Sequence, residues 1–516
     1  MAPLLEDALL HIVNLSLTSG TFDSTWKGQV IGPHHKKGDR SLLKNYRPVS
    51  IVIQFGKLTE METSDQVVKH FTENHLFHNA HNGSLPNLDT NTALIQVYNH
   101  MVKAADDKKI AGTVFLDQSS AFDLVDHQLL LEKLECYNFS AKALSWFTTY
   151  LEDRTFEYQI ESKRSRAHLV GPYGVPQGSV LGSLLYIISQ NDLPDAPPES
   201  DTGQTTLYVD DDTEQESDER PEILQSKLQR RVDNITEWLS DNRMVVEPNK
   251  TKLIVSMTKE LKSRRFPDLQ LSIKVGDKVI TNTPSEKLLG VVLSEDLTWR
   301  PHIWGENWRE TDNWGGLIPQ LIQRLGMLRY LGRVTSKEKM RTLIPGIFTS
   351  KMTYALPLIG STWGFSGYRS SEPVKICFTK CDINKLQSLQ RQAALLLLPP
   401  TSGLDLRSTE SVLCDVKWLS VHQMVAYSIL SLFLRMTTSG VPRGFLDGFT
   451  VSRDSRSTKG TFKTQRHNLN ISLENFMNQA IRLYNSLPPN IRSMERGKKQ
   501  KNDLKSWTSI NVRFKP

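Results

Sequence analysis

Two short runs of β-branched and aromatic residues end in aspartate. One is GTVFLD (112–117); the other is TTLYVD (205–210), which continues into Asp211 and Asp212. Runs of this composition read as strands, and acids at their ends mark the point where the chain turns. If the two strands are neighbours in one sheet, Asp117 and Asp210 meet across it. Carboxylates gathered so closely resist ionising together and are unfavourable unless cations neutralise them. Magnesium is the natural cation, because it takes few protein carboxylates and fills its remaining positions with water and phosphate oxygens. Two such ions about 3.5–4 Å apart can clamp the attacking and leaving oxygens of a phosphoryl displacement. A plainer reading competes. DDDTEQESDER (210–220) holds seven acids in eleven residues, and acid runs of this kind are usually solvated loops. On the acids alone the surface loop is the simpler choice, but the sequence around them reverses it; Asp212 reads as a variable turn residue.

The rest of the chain divides by periodicity. VIGP (30–33) and KLIVSM (252–257) read as further strands, while HQLLLEKLECY (127–137) and LQSKLQRRVDNITEWL (224–239) read as amphipathic helices. The second helix places Leu224, Leu228, Val232, Ile235 and Leu239 on one face. Such mixing predicts an α+β domain over about residues 1–300. Beyond it the strand signals fade. LIQRLGMLRYLGRV (321–334), a segment opening at Thr335 or Ser336 as N-cap, and KLQSLQRQAALLLL (385–398), stopped by Pro399 and Pro400, predict helices. A helical region over 301–370 and another over 371–516 are expected, and 516 residues are ample for several cores.

Four cysteines are too few and scattered for a disulfide framework, which predicts a reducing compartment. Cys377 and Cys381 are spaced as zinc ligands are, but no second pair follows, so packing is the expected role. The opening MAPLLEDALL carries acids where a signal peptide is basic, and the apolar runs at 393–398 and 424–436 are too short to span a bilayer. A soluble intracellular protein with no membrane partner is expected. The net charge of +7 permits a polyanionic partner without requiring one.

Several stretches, taken together, resemble a known family. YVDD (208–211) is similar to the tyrosine-x-aspartate-aspartate box of reverse transcriptases, and FLDQSSAFDLVDH (115–127) resembles the motif of their first catalytic aspartate. GVPQGSVLG (174–182) resembles the nucleotide-side loop. WKGQVIGPHHKKGD (26–39) and NYRPVSI (45–51) resemble fingers motifs, and NKTK (249–252) and LLGVVLSEDLTW (288–299) follow in the family's order. The wording is that of non-LTR (LINE-type) retrotransposons, and YNSLPPNIR (484–492) resembles their C-terminal part.

The resemblance implies a right-hand polymerase, with fingers and an antiparallel palm sheet followed by a helical thumb. It implies RNA-directed DNA synthesis on an RNA template from a DNA primer, with deoxynucleoside triphosphates and two Mg2+ ions, Mn2+ being an alternative. Asp117 and Asp210 match the aspartates that bridge both metals, and Asp211 matches the supporting one. Phe122 matches the ring that excludes a 2′-hydroxyl. Gln177 and Gly178 match the loop against the incoming nucleotide, and Lys250 the lysine that protonates departing pyrophosphate. Asp123 and Asp126 lie at an expected helix start, where acids suit the dipole. Of the fingers cations, Lys37 and Arg47 are expected on the nucleotide. Arg324, Arg329 and Arg333 are expected on the template-primer duplex, where phosphate contacts supply sequence-independent affinity. RGKKQK (496–501) reads equally as a nucleic-acid contact or a loose solvated tail.

The chain departs from the family pattern at Leu85, where an arginine usually reaches the triphosphate, and at Ser183, where proline is commoner. No stretch resembles an endonuclease or a ribonuclease H. Two other classes stand beside the polymerase: a retroelement remnant that only binds RNA or a protein, and a metal nuclease or transposase. The second of these has no use for GVPQGSVLG or Phe122.

Overall fold

The computed structural model describes residues 2–36, 38–198, 200–305, 315–361, 380–399, 407–442, 462, 475–492 and 497–512. Its first sheet joins β1 (Gly28–His35) to β2 (Tyr46–Val52) antiparallel and to β4 (Thr155–Ile160) parallel. A second sheet is built on β3 (Ile110–Asp117), β5 (Gln204–Tyr208), β6 (Asp211–Asp218), β7 (Lys252–Ser256), β8 (Ser272–Val275) and β9 (Lys278–Thr283). The strand order is β8-β9-β7-β3-β6-β5, antiparallel throughout except between β9 and β7. The expected strands at 30–33, 112–117, 205–210 and 252–257 all lie in these sheets, although β5 stops at Tyr208. An α+β fold with a mostly antiparallel palm sheet and helices after residue 300 is what forms.

Helices close both faces of β3. Helix α1 (Thr90–Asp106) begins at a capping box, in which the Asp89 carboxylate accepts from the backbone of Asn91 and Thr92. On the other face, helix α2 (Pro221–Asp241) buries the predicted stripe of Leu224, Leu228, Val232, Ile235 and Leu239. Each such side chain, fully buried, contributes about 1.5–3 kcal/mol. Gly112 makes the approach possible, since a Cβ there would stand 2.3 Å from Leu228 Cδ1.

The acid-rich run is where a reading from the acids alone needs correcting. It is no solvated loop: Asp211–Asp218 is strand β6, hydrogen-bonded on both edges, with Asp212 through Ser217 buried. Burial of these groups is tolerated because they find partners. Arg231 of α2 reaches into the strand, pairing with Glu214 and, at 3.3 Å, with Glu216. Thr205 Oγ1 donates to Glu214 at 2.9 Å and Thr202 Oγ1 to Glu216 at 2.7 Å. On the opposite face Gln215 donates to Thr113 Oγ1 at 2.9 Å. Asp212 is likewise no turn residue. Only 2% exposed, its carboxyl is pushed well above its ordinary value by desolvation and then by Glu214.

Two hydrophobic cores result. One lies under the palm around Leu116, Tyr186 and the α2 stripe. The other joins α1, the hairpin β10 (Ser285–Leu288) and β11 (Val291–Ser294), and the later helices. Those helices include α3 (Leu317–Val334), α4 (Lys380–Leu395), α5 (Val421–Ser439), α6 (Phe476–Ser486) and α7 (Lys498–Asn511). Ser336 is the N-cap of the helix at Lys337–Ile344, as expected. The expected boundary at 370/371 falls outside the described residues, as does Cys377. Both apolar runs lie in this core: Ala393, Ala394 and Leu397 are buried, and so are Ile429, Leu430 and Phe433. Among the described residues no single helix is long and apolar enough to cross a membrane; Thr409–Val416 with Val421–Ser439 passes only as a pair bent by 53°.

Arg231 is the residue on which β6 depends. Arg231→Leu leaves Glu214 and Glu216 buried without a counter-charge and is expected to lose about 3–5 kcal/mol of unfolding free energy. Urea unfolding followed by circular dichroism measures it, and a loss below about 1 kcal/mol, the scale of a surface ion pair, would mean that water reaches these acids.

Candidate active site

The register of the palm sheet places the aspartates. Along β3 and β6, Asp117 stands directly opposite Asp211, and Leu116 opposite Asp212. Tyr208 of β5 pairs with Asp211, so Val209 and Asp210 form a two-residue hairpin turn. The neighbour of β3 is therefore β6 and not the expected β5. Asp117 meets Asp211 across the sheet, and Asp210 projects from the tip beside them. Val209 has φ +59°, a left-handed conformation unfavourable for a β-branched residue although the tight hairpin favours it.

The segment before α1 holds that turn in place. Asn82 N–H donates to Leu207 O at 2.8 Å, and Leu207 N–H to Ala80 O at 2.9 Å. Gly83 lies flat against the tip, where a Cβ would come within 2.6 Å of Val209 Cγ2 and 2.9 Å of Val209 N. Leu85, in the same segment, is 8% exposed and belongs to the palm core, so it supplies packing and no cation.

Electrostatically the site is crowded. Asp211 is open on the cleft side yet desolvated on the others, and its carboxyl is pushed up to about 6, by that desolvation first and then by Asp210 and Asp117, with Arg47 opposing. Arg47 thus reaches the site from β2. Lys250 arrives from the segment that returns to β3: Glu247 N–H donates to Asp117 O at 2.8 Å, and Lys250 N–H to Glu247 O at 3.0 Å. Its ammonium rests 2.7 Å from Asp117 Oδ1 and is 60% exposed. Among the described residues no three acidic, histidine or cysteine side chains already form a closed metal cage. The donors are all carboxylate oxygens, which suit a hard divalent cation, and their mutual repulsion is what such a cation relieves.

A second wall rises beside the aspartates. Phe122 stacks on buried Tyr186 with ring centroids 4.8 Å apart and planes 21° from parallel. Tyr186 Oη donates to Gln118 Oε1 at 2.8 Å, and Gln190 Nε2 donates to the same oxygen at 2.7 Å. The GVPQGS loop is pinned against this wall by Val175 N–H to Phe122 O at 2.8 Å. Gly178 has φ +113°, and a Cβ there would stand 2.7 Å from Ser50 O. Ser50 N–H in turn donates to Gln177 O at 2.8 Å, which ties the loop to β2. Buried Glu60 accepts from Val180 N–H at 2.7 Å at the start of the following helix, Val180–Ser189.

Of the two further acids, Asp126 behaves as expected, capping the helix His127–Cys136 and pairing with Arg243. Asp123 does not. It lies in a short 3-10 helix, Ala121–Asp123, and accepts from Gln177 Nε2 at 3.4 Å; desolvation pushes its carboxyl up while Gln177 and Lys36 oppose. Asp117, Asp210, Asp211, Lys250 and Arg47 are thus brought together, with Phe122, Gln177 and Gly178 forming the adjacent wall. Lys37 lies outside the described residues. Arg324 and Arg329 sit apart on α3, donating to Ile347 O and Gln392 Oε1, each at 2.5 Å, and Arg333 is exposed on the same helix. Tyr186, Glu60 and Gly83 escaped the sequence reading. Only Gly83 carried a local signal, that of a turn residue.

Known proteins share this pattern. A transposon BS protein of Drosophila melanogaster, described as a probable RNA-directed DNA polymerase, is 30% identical over 57% of this chain and 32% of its own length. The RNA-directed DNA polymerase of the mobile element jockey, from the same organism, is 27% identical over the same shares. The chain spans about a third of the length of these relatives. Among solved structures, a telomerase from Candida tropicalis in complex with a telomeric RNA fragment covers 96% of this chain and 65% of its own, at 10% identity and a TM-score of 0.40, too distant to carry an argument. The family described as reverse transcriptase (RNA-dependent DNA polymerase) matches residues 34–293. With half its length inside that match, the chain belongs to the reverse transcriptase family, and polymerases of transposons and mobile elements are among its relatives.

Proposed function

We propose that this chain is the polymerase part of a retroelement protein and extends a DNA primer on an RNA template. The observation that carries the reading is the register that sets Asp117 opposite Asp211 beside Asp210, in a cleft walled by Phe122 and the Gln177–Gly178 loop. Asp117, Asp210 and Asp211 would hold divalent cations, Mg2+ or Mn2+, which when bound neutralise charge on the reacting phosphate oxygens. Arg47 adds fixed positive charge at the triphosphate. Phe122, braced by Tyr186, blocks the position of a 2′-hydroxyl, and Gln177 and Gly178 bring backbone close to the incoming base pair. Lys250, whose ammonium lies beside Asp117, is placed to donate a proton to departing pyrophosphate. Arg324, Arg329 and Arg333 are assigned to the duplex backbone. The domain division is proposed as fingers and palm over 1–300, a thumb over 301–370 and a C-terminal region over 371–516.

A second reading, template binding without synthesis, is favoured by one observation: Leu85 is packed into the core where the family's arginine would meet phosphate. Primer extension on RNA with deoxynucleotides and Mg2+ separates the two. Asp210→Asn is expected to lower extension by about 10²-fold or more while leaving template affinity unchanged. Binding without extension in the unsubstituted protein would establish the second reading.

Sugar selection is tested at the ring. Phe122→Ala is expected to keep deoxynucleotide extension and to reduce discrimination against ribonucleotides by about 10–200-fold. Unchanged discrimination in single-nucleotide incorporation would remove Phe122 from that role.

The raised Asp211 carboxyl sets a pH dependence. Its folded pKa, about 6, lies above the unfolded value, so the folded state binds more protons in that interval and stability falls as pH rises from about 4 to about 6. In metal-free protein, the melting temperature is expected to decline across that window, and Asp211→Asn to flatten the decline. Parallel curves for the two proteins would show that Asp211 ionises normally.

A further inference from the structure

A cleft of about 630 Å³ lies between α5, α7 and the Lys417–Leu419 loop, reaching Asp89 at the start of α1. It includes none of the three aspartates. Two half-buried rings, Trp418 and Tyr427, stand in its wall, and Ser431 Oγ is buried there without a hydrogen-bond partner. Three exposed lysines border it: Lys417, with φ +59°, from the loop, and Lys501 and Lys505, one turn apart on α7. Among the described residues no carboxylate lies within ion-pair distance of these three. Arg435, also in the wall, is already neutralised by Asp89 at 2.7 Å.

That charge is placed against the helix's own interest. Lys498, Lys499 and Lys501 fall in the first turn of α7, where positive charge opposes the helix dipole. Lys501 and Lys505 add a like-charged pair at i,i+4. The basic run at 496–501, readable as a loose tail, is helical from Lys498 onward and aims Lys501 into the cleft. A polyanion offsets both penalties. Rings flanked by lysines are the composition that stacks bases and tracks phosphates along a single strand, and only an unpaired base offers its face to a ring. An acidic peptide would satisfy the lysines and leave Trp418 and Tyr427 unused.

We propose that this cleft is a second nucleic-acid site, separate from the polymerase cleft, that takes one unpaired strand. The proposal does not depend on synthesis, and a protein inactive in primer extension would still bind there.

The test uses the full chain and a single-stranded 12-mer carrying 5-iodouracil, in RNA and DNA versions of one sequence, photocrosslinked and mapped by peptide mass spectrometry. Crosslinks to Trp418 or Tyr427 are expected, unaffected by Asp210→Asn, and the more efficient of the two oligonucleotides identifies the strand. In fluorescence anisotropy, Lys417→Gln with Lys501→Gln and Lys505→Gln is expected to reduce the salt slope by about 2, since three lost phosphate contacts each remove about 0.7. Trp418→Ala is expected to weaken binding about tenfold. Crosslinks confined to the palm, or displacement by polyglutamate as effective as by unlabelled oligonucleotide, would overturn the proposal. The wild-type map decides the matter even if a variant fails to fold.

Discussion

Everything in the palm depends on the pairing of β3 with β6. Side chains alternate across a strand, so a slip of one residue would turn Asp117 or Asp211 to the wrong face and carry the rest of the strand with it. The register that avoids this is not fixed by apolar alternation, because β6 has almost none. It is fixed from both sides, by the tight Val209–Asp210 turn and by Arg231, which engages Glu214 and Glu216 on one face only. A charged, buried strand is a costly way to build a sheet. Its acids are specific about partner and position in a way that leucines are not, and the strand ends at the carboxylate that must be placed.

The strain and the crowding at the tip have a common physical logic. Val209 sits in a left-handed conformation, the Asp211 carboxyl is pushed up to about 6, and that of buried Asp212 behind them is pushed well up. Each is unfavourable alone and persists because surrounding structure over-determines it. Gly83 leaves the turn no room to relax, and Lys250 partly offsets the charge on Asp117. Repulsion left among the carboxylates is what a divalent cation would relieve.

Legibility in the sequence followed local pattern. GTVFLD and KLIVSM are β-branched and apolar, and they fold as strands; the five-residue stripe on α2 is buried as its spacing predicts. Asp117, Asp210 and Asp211 could be found because family motifs mark them. What stayed hidden was long-range. In the stretch RRVDN nothing separates Arg231 from Arg230, yet only Arg231 is buried, and the partners that bury it lie on another element. Tyr186 reads as one apolar residue in a helix, and only the fold lays it under Phe122. Taken alone, DDDTEQESDER reads as a loop because its period-2 pattern is polar on both faces, a case for which hydrophobic periodicity has no signal.

The central claim is that Asp117, Asp210 and Asp211 share one divalent-cation site. Fe2+ in place of Mg2+, with ascorbate and peroxide, generates hydroxyl radicals that cut the backbone beside the bound ion, and the cuts can be mapped by mass spectrometry. Cleavage near residue 117 and near residues 209–212 together, both suppressed by excess Mg2+, is the expected result. Cleavage at only one of the two segments, or at neither, would contradict it.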